Sequence, residues 1–419
     1  MKISDIRPEV YEIAERAQDK LAGRFLEIDR VAEKNTRKVM EAFQNNRVSD
    51  ACFAGTTGYG YDDLGREVLD KIYAEIFHTE SALVRLQFVN GTHALTAAMF
   101  ALAKPGEKIL AVTGTPYDTL RTAIGLSGDA FGSLKFYGIE YGQVDLTNQG
   151  EPDYAAIADA VREPKVAGVM IQRSRGYEDR KALSVREIEK IVETVKAVNP
   201  AVHVMVDNCY GEFTDVIEPT DVGADLIAGS LIKNLGGGVA PTGAYVAGKR
   251  ELVERAAIRL TTPGIGGECG STLGNNRLLF QGLFLSPHVV AQALKTACFC
   301  AAMMEEIGIE SSPSALEERS DIIQMVKLGS PENMKRFCLG IQAGAPVDSY
   351  VTPEPWEMPG YDCPVIMAAG SFIQGSSIEL SADGPMRAPY IAYMQGGLTY
   401  ESGKLGIMMA VSAMLDVKD

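Results

Sequence analysis

From about residue 80 to residue 250, short apolar segments alternate with longer amphipathic ones, and this alternation restricts the fold more than any other feature of the chain. The predicted strands are KILAV (108–112), VAGVMIQ (166–172), VHVMVD (202–207), ADLIAGS (224–230) and AYVAG (244–248). Such continuous apolar runs are typical of strands buried on both faces. Residues 183–198 are predicted to form a helix capped by Ser184, because their apolar side chains share one helical face. The pattern predicts an α/β fold with a mainly parallel central sheet.

The length of 419 residues exceeds the usual size of one core, so more than one domain is expected. Residues 1–50 are predicted to form one or two amphipathic helices that pack on the body of the protein or on a second subunit. We predict a large α/β domain over residues 51–294. A long connecting helix is expected at 286–309, and a smaller α+β domain is expected over residues 295–419, where Pro, Gly and Tyr are more frequent.

Composition restricts the kinds of partner. The formal net charge is −15, and the basic residues are scattered, which disfavours nucleic acid or an anionic membrane surface as a partner. The amino-terminal segment does not resemble a secretory signal or a transit peptide, so we expect a cytoplasmic protein. The seven cysteines form no CxxC pair and the four histidines lie far apart, so we expect reduced thiols and no metal site.

Lys233 follows a predicted strand closely, in the segment GSLIKNLGGG (229–238). Ligands of parallel sheets bind beyond the carboxyl ends of the strands, so the lysine is expected at the ligand-binding edge. The glycines after it allow close approach of backbone. Taken alone, such a lysine is also compatible with an ordinary surface position; at this edge, it is a candidate nucleophile.

Asp207 ends the predicted strand VHVMVD (202–207) and is therefore expected at the same edge. A buried carboxylate needs a cation or a hydrogen-bond donor nearby, and the protonated nitrogen of a pyridine ring is one such partner. The alternative is a helix-capping aspartate. A lysine that binds an aldehyde and an aspartate on the ring nitrogen are the two groups that pyridoxal phosphate requires.

Other residues supply the remaining parts of such a site. Gly91 and Thr92 stand where an apolar run turns into a helix, and free N–H groups at a helix start bind phosphate well, although Thr92 is also compatible with a simple cap. Ser230 adds a hydroxyl next to the lysine. Tyr117 follows another predicted strand and offers a flat ring for stacking, or packing within a turn.

In order and spacing, these motifs resemble the Cys/Met-metabolism group of fold-type-I pyridoxal-phosphate enzymes, and within it the methionine gamma-lyase family, also called aluminium-resistance or cystathionine beta-lyase-like proteins. The resemblance extends over most of the chain. Its motifs are GYGYDDLGRE (58–67), NGTHAL (90–95), GTPYDTL (114–120), QRSRGY (172–177), VDNCYGEF (206–213), GSLIKNLGGGVAPTGAYVAG (229–248) and YMQGGLTYESG (393–403).

The resemblance implies an aspartate aminotransferase-like fold and specific residue roles. Lys233 is the Schiff-base lysine, Asp207 contacts the pyridine nitrogen and Tyr117 stacks on the ring. Gly91, Thr92 and Ser230 surround the phosphate.

The resemblance also implies an oligomer with a composite active site. Tyr61 and Arg66 match a tyrosine and an arginine that reach the phosphate of a neighbouring subunit in related enzymes, although both are also compatible with a solvated face. The family is usually a tetramer built from two dimers, so a homotetramer is expected.

Two departures concern the substrate. Tyr117 is followed by Asp118 and not by the cysteine of true methionine gamma-lyases. In the segment that usually carries the arginine for the substrate carboxylate, IELSADGPMRAP (378–389), Glu379 stands in its place. Arg387 is a candidate replacement, as are Arg173 and Arg175.

The function implied by the resemblance is β- or γ-elimination on a sulfur-containing amino acid such as cystathionine, cysteine or methionine. Lys233 would remove the α proton while Asp207 keeps the ring protonated. Aldolase or aminotransferase chemistry on the same cofactor, or non-catalytic cofactor binding, are the alternatives.

Overall fold

The structure is a computed structural model that describes residues 1–128, 131–358 and 363–415. Its helices are α1 (Pro8–Asp19), α2 (Ala22–Asn45), α3 (Leu64–Ile76), α4 (Gly91–Leu102), α5 (Asp118–Ile124), α6 (Tyr154–Val161), α7 (Val185–Val198), α8 (Arg250–Leu260), α9 (Asn276–Ile307), α10 (Pro331–Ala343) and α11 (Tyr400–Leu415). Its strands are β1 (Ser81–Arg85), β2 (Lys108–Ala111), β3 (Glu140–Gln143), β4 (Val166–Gln172), β5 (His203–Asp207), β6 (Leu226–Ser230), β7 (Ala244–Gly248), β8 (Ser311–Ser312), β9 (Ile323–Lys327), β10 (Val365–Ala368), β11 (Ser381–Pro385) and β12 (Ile391–Gln395).

The larger sheet has seven strands in the order β1-β7-β6-β5-β4-β2-β3. Strands β3, β2, β4, β5 and β6 are parallel neighbours, whereas β7 pairs antiparallel with both β6 and β1. The predicted mainly parallel sheet is therefore confirmed, and each of the five predicted strands is present. The sequence pattern missed β1 and β3. Strand β3 reads EYGQ and is half-buried at the sheet edge, so it lacks the apolar run of a central strand.

The parallel pairing brings the ends of β4, β5 and β6 to one edge of this sheet. Gln172 of β4 lies opposite Asp207 of β5, and Asp207 lies opposite Ala228 of β6. Strand β6 continues for two residues to Ser230. Polar side chains from three neighbouring strands therefore meet at their carboxyl ends, which is where open α/β sheets bind ligands.

Helix α7 shows why its segment folds as predicted. The Ser184 hydroxyl accepts a hydrogen bond from the Glu187 N–H at 3.2 Å, and the Glu187 carboxylate accepts one from the Ser184 N–H at 2.7 Å. This capping box satisfies two N–H groups that a helix start otherwise leaves free. Val185, Ile188, Ile191, Val192 and Val195 are all buried.

A second sheet has five antiparallel strands in the order β10-β11-β12-β9-β8. Helices α10 and α11 pack together beside it, and α9 contacts β9, β12 and α11. The amino-terminal helices α1 and α2 also pack on α9. Helix α9 thus connects the regions around both sheets.

Helix α9 begins ten residues before the predicted start at 286 and contains Pro287. Proline usually interrupts a helix because it removes a donor and crowds the preceding turn. The Ser286 hydroxyl donates to the Leu283 carbonyl at 2.7 Å, and both Ser286 and Pro287 are buried. Tertiary packing therefore maintains the helix through the proline. The predicted domain boundary at residue 295 lies inside this helix.

By length and composition alone, helix α9 could cross a membrane. Most of its apolar stretch is, however, buried within the protein. Cys298 and Cys300 belong to this buried stretch. Core packing accounts for the apolar composition of the helix.

We expect Phe299→Ala to lower the free energy of unfolding by about 3–5 kcal/mol, because Phe299 is fully buried and its ring packs against Tyr400 of α11 at 6.0 Å between centroids. The matched control is Phe372→Ala, at a phenylalanine that is 70% exposed, with an expected change within about 0.5 kcal/mol. Urea unfolding followed by circular dichroism measures both. Equal losses in the two variants would contradict the assigned core.

Candidate active site

A cavity of about 410 Å³ lies where the carboxyl edge of the larger sheet faces the second sheet. The larger sheet and its connections contribute Gly91, Thr92, Tyr117, Gln172, Asp207, Ser230 and Lys233 to its wall. The second sheet and its connections contribute Ile323, Asp383, Pro385, Arg387, Tyr393 and Gln395. Eight of the predicted site residues therefore line one cavity: Lys233, Asp207, Tyr117, Gly91, Thr92, Ser230, Arg175 and Arg387.

Lys233 is half-buried, and its Nζ lies 4.0 Å from the centroid of the Tyr210 ring. The glycines after it pack the loop against α9. A Cβ on Gly237 would lie 2.5 Å from the Gly282 carbonyl oxygen, and the φ of Gly237 is +53°. The close approach that the sequence predicted here is therefore between the lysine loop and helix α9.

Asp207 is 4% exposed, and its Oδ1 accepts a hydrogen bond from the Cys209 N–H at 3.1 Å. Burial raises the pKa of the Asp207 carboxyl, and the charge of Lys233 opposes that rise. Burial acts to lower the pKa of Lys233, but Cys209, Tyr210, Tyr117 and Asp207 together raise it well above its usual value. A buried carboxyl and an amine thus influence each other across one cavity.

The start of α4 forms one end of the cavity. Asn90 caps this helix by accepting a hydrogen bond from the His93 N–H at 2.9 Å, so the cap is not Thr92. Thr92 instead places its hydroxyl 2.5 Å from the Tyr117 hydroxyl. A Cβ on Gly91 would lie 3.2 Å from the Ser230 Cβ, so the helix start and the end of β6 are in close contact. Together they form a polar cradle at the positive end of a helix.

Tyr117 is positioned by the sheet edge. Its N–H donates to the Gln172 side chain at 3.0 Å, and the residue is the N-cap position of α5. Burial raises the pKa of its hydroxyl, although Lys233 opposes the rise. The phenol is therefore neutral at ordinary pH.

The three candidate arginines have different surroundings. Arg175 lines the cavity and is fully buried, and its three guanidinium nitrogens have no hydrogen-bond partner among the described residues. Burial lowers its pKa, and Asp321 opposes that effect. Arg387 also lines the cavity but is exposed. Arg175 is therefore the buried cation with unused donors in this site.

Arg173 has partners within the protein, so its donors are already used, and the substrate-carboxylate role predicted for it gains no support from the structure. Its guanidinium donates to the Asn208 side chain at 2.7 Å and to the Thr214 hydroxyl at 3.2 Å. Glu218 lies 3.5 Å away. Among the described residues that line the cavity, Arg173 does not occur.

Tyr61 and Arg66 lie away from the cavity of their own chain, since neither is among the described residues of its wall. Tyr61 is 55% exposed. Arg66 is buried and donates to the carbonyls of Gly60, of Gly270 at 3.0 Å and of Glu268 at 3.1 Å. Within its own chain, Arg66 holds two loops together. The role of both residues toward a second subunit stays a prediction.

Glu379, which replaces the usual arginine, has a structural role in its loop. Its carboxylate accepts hydrogen bonds from the N–H groups of Phe372 at 2.8 Å and Ile373 at 3.0 Å. Backbone N–H groups thus stabilise a carboxylate at the position where the family pattern has an arginine.

Sequence reasoning missed several residues of the cavity wall, namely Gln172, Tyr177, Asp383, Tyr393 and Gln395. A signal existed for two of them. Asp383 and Gln395 are polar residues within segments that are otherwise mostly apolar, IELSADGP and IAYMQGG, and such residues in buried strands need a local partner or a ligand.

Comparison with known proteins identifies the family of the chain. The family model described as Methionine gamma-lyase matches residues 10–415. The YnbB protein of Bacillus subtilis (strain 168) is 48% identical over 396 residues, covering 94% of each chain. The crystal structure of a carbon-sulfur lyase involved in aluminum resistance, from Clostridium novyi NT, is 52% identical; it covers 97% of this chain and 96% of its own, with a TM-score of 0.94.

A solved structure with much lower sequence identity shares the fold. The pyridoxal-5'-phosphate dependent protein YhfS from Escherichia coli is 17% identical, with a TM-score of 0.63 over 93% of this chain and 97% of its own. The predicted fold type I is confirmed. The match over residues 10–415 and the identity to full-length relatives together show that the chain belongs to the methionine gamma-lyase family.

Proposed function

We propose that this chain is a pyridoxal-phosphate-dependent carbon–sulfur lyase that eliminates a sulfur leaving group from the β or γ carbon of an amino acid. The observation that carries the proposal is the convergence of Lys233 and Asp207 on one cavity, in a chain 52% identical to a carbon-sulfur lyase. These two groups have the chemistry that opposite ends of a pyridoxal ring require.

The residues present fit pyridoxal phosphate. Lys233 supplies the amine for its aldehyde, Asp207 a buried carboxyl for the ring nitrogen and Tyr117 a flat ring. Gly91 supports the fit at the phosphate end, because a Cβ there would fill the space beside Ser230. When bound, the cofactor supplies an electron sink for negative charge that develops at the substrate α carbon.

Side chains of this protein accept, hold and donate the protons of the reaction. Lys233, once an amino acid has displaced it, removes the α proton of the substrate. Asp207 remains at the far end of the site and holds a proton on the ring nitrogen. Tyr117, a neutral phenol in this setting, has a proton that it can donate to a departing sulfur anion.

Arg175 is our assignment for binding the substrate carboxylate. Arg175 belongs to the cavity wall, its buried guanidinium has unused donors, and a guanidinium binds a carboxylate through two parallel hydrogen bonds. Arg387 is exposed, so water competes for its donors. Because the Arg175 side chain is shielded from water, we favour it over Arg387 as the residue that binds the substrate carboxylate.

An oligomer with composite sites is supported by an exposed apolar surface near Arg66. Tyr59, Tyr61, Leu64 and Leu273 are 75%, 55%, 49% and 64% exposed. Their two segments are joined by the Gly270 N–H, which donates to the Tyr59 carbonyl at 3.0 Å. We propose that this tyrosine loop surface meets a second copy of the chain, in a dimer of dimers, and brings Tyr61 to the neighbouring site.

Lys233→Ala tests the proposed cofactor chemistry. The wild-type protein is expected to take up pyridoxal phosphate with a visible absorbance band and to release a keto acid and a thiol from a sulfur amino acid. The variant should lose the covalent band, and turnover should fall by about 1,000-fold or more, because the α proton loses its base. Lys181→Ala, at an exposed lysine paired with Glu317, is the control and should behave as wild type. Release of glycine and an aldehyde, or cofactor binding without any product, would contradict the lyase proposal.

Arg175→Met should raise KM for the amino acid by about 100-fold, because the carboxylate loses a charge-assisted bidentate contact, while cofactor uptake stays unchanged. Arg387→Met serves as the comparison and should raise KM by less than about fivefold. Steady-state kinetics with absorbance titration measures both. The reverse order of effects would assign the carboxylate to Arg387.

Leu273→Asp should shift the protein toward a smaller assembly in analytical ultracentrifugation, because a charge would be buried in the proposed contact. Leu316→Asp changes a leucine that is 61% exposed elsewhere on the chain and should leave the assembly intact. A monomeric wild-type protein with full activity would contradict the composite site.

A further inference from the structure

Tyr210 lies beside the lysine in the wall of the cavity. The Lys233 Nζ is 4.0 Å from the centroid of the Tyr210 ring. Lys295 and Lys404 also lie over aromatic rings, but at the longer distances of 5.5 and 5.6 Å. A separation of 4.0 Å is well within the range over which the negative face of an aromatic ring attracts an ammonium group.

The backbone at Tyr210 has a conformation that bulky residues rarely adopt. Its φ is +71°, in the left-handed region, where a side chain costs free energy that glycine avoids. Such strain persists only where surrounding contacts maintain it, and it is concentrated at functional sites. The chain thus accepts an unfavourable backbone at the position from which this ring reaches the cavity wall.

Contacts from the second sheet fix the Tyr210 side chain. Its hydroxyl accepts a hydrogen bond from the Ser377 hydroxyl at 3.0 Å, and Ser377 is buried in the connection between β10 and β11. The ring packs against a small apolar cluster on β9 and β12 that consists of Ile323, Met325, Ile391 and Tyr393. The ring is therefore held at both ends beside the amine.

The Lys233 amine has few other close contacts. Within residues 1–128, 131–358 and 363–415, its Nζ forms no hydrogen bond and no ion pair. The titratable and charged groups that surround it are Asp207, Cys209 and Tyr210 after β5, Tyr117 before α5, and Asp383 of β11. The Tyr210 ring therefore provides the close contact for this cation.

The proposed reaction requires Lys233 to carry a proton inside the cavity. When it removes the α proton, a C–H bond of the substrate breaks, an N–H bond forms on Nζ, and the electron pair of the C–H bond stays with the substrate and cofactor. A charge that is shielded from water is costly unless it has a partner. An aromatic face offsets part of this cost, and more so when the cation is desolvated.

We propose that Tyr210 is a positioning residue that holds the ammonium form of Lys233 against the face of its ring, both before cofactor is bound and after the lysine has accepted the substrate proton. The second of these states rests on the proposed function. The Tyr210 hydroxyl has a separate task, because its contact with Ser377 keeps the ring in place.

The test measures the Lys233 amine in the cofactor-free protein. Acetic anhydride in trace amounts reacts with neutral amines, and mass spectrometry of the peptide that carries Lys233 gives the extent of labelling. Tyr210→Leu removes the ring but keeps the position apolar, so less of the amine is protonated and labelling at a fixed pH should rise by about tenfold. Tyr210→Phe keeps the ring and should change labelling by less than about twofold.

A second series preserves the shape of the side chain. Tyr210→Phe is repeated with phenylalanine analogues that carry one, two or three ring fluorines, which weaken the negative face of the ring while changing its size little. Lys233 labelling should rise stepwise with the number of fluorines. The conclusion therefore does not depend on whether Tyr210→Leu folds.

The control is Tyr137→Leu, the same substitution at a tyrosine outside the cavity wall that lies 5.5 Å from the Arg259 guanidinium. It should leave Lys233 labelling unchanged, and an effect equal to that of Tyr210→Leu would overturn the proposal.

The other outcomes are also decisive. Equal effects of Tyr210→Leu and Tyr210→Phe would assign the role to the hydroxyl, toward Ser377 or toward the cofactor, and would overturn the proposal. A fluorine series without a trend would overturn it as well. A wild-type protein that takes up no cofactor would remove the proposed function, but the labelling result would be unaffected because it is obtained without cofactor.

Discussion

The edge where three parallel strands end is the constraint on which the rest of the site depends. Parallel pairing in register brings Gln172, Asp207 and Ser230 to one border of the sheet, and Lys233 follows directly in the next loop. A carboxyl and an amine from separate parts of the chain then share one buried cavity. Each influences the pKa of the other, and the cost of burying them is reduced by their mutual attraction.

A buried polar network behind the sheet edge holds these two residues in place. Asn208, next to Asp207, accepts a hydrogen bond from Arg173 and donates to Glu218 at 3.0 Å. Asn234, next to Lys233, donates to the Glu212 carbonyl at 2.9 Å.

Glu212 lies at the centre of this network. Its carboxyl accepts from the Tyr245 hydroxyl at 2.9 Å, and burial raises its pKa to about 8, so it is mostly neutral at pH 7. Glu212 therefore adds hydrogen bonds to the network without adding a further buried negative charge beside Asp207, and Arg173 pairs with Glu218 within the same network.

The sequence was sufficient to predict the elements whose signals are local. Continuous apolar runs identified five strands, Ser184 identified a capped helix, and the position of Lys233 after a strand identified the edge of the site. Helix α9 was longer than predicted because tertiary packing maintains it through Pro287. Asp383 and Gln395 are polar residues in buried strands, but they were missed because the cavity that they line is formed by segments far apart in the chain. Arg173 and Arg175 are two residues apart and are both buried, so only their hydrogen-bond partners distinguish them.

A crystal structure of the protein loaded with pyridoxal phosphate tests the central claim most directly. We expect continuous density from Lys233 to the aldehyde carbon, with the Asp207 carboxylate about 3 Å from the ring nitrogen of the same cofactor. A cofactor bound elsewhere, or a ring whose nitrogen points away from Asp207, would contradict the account.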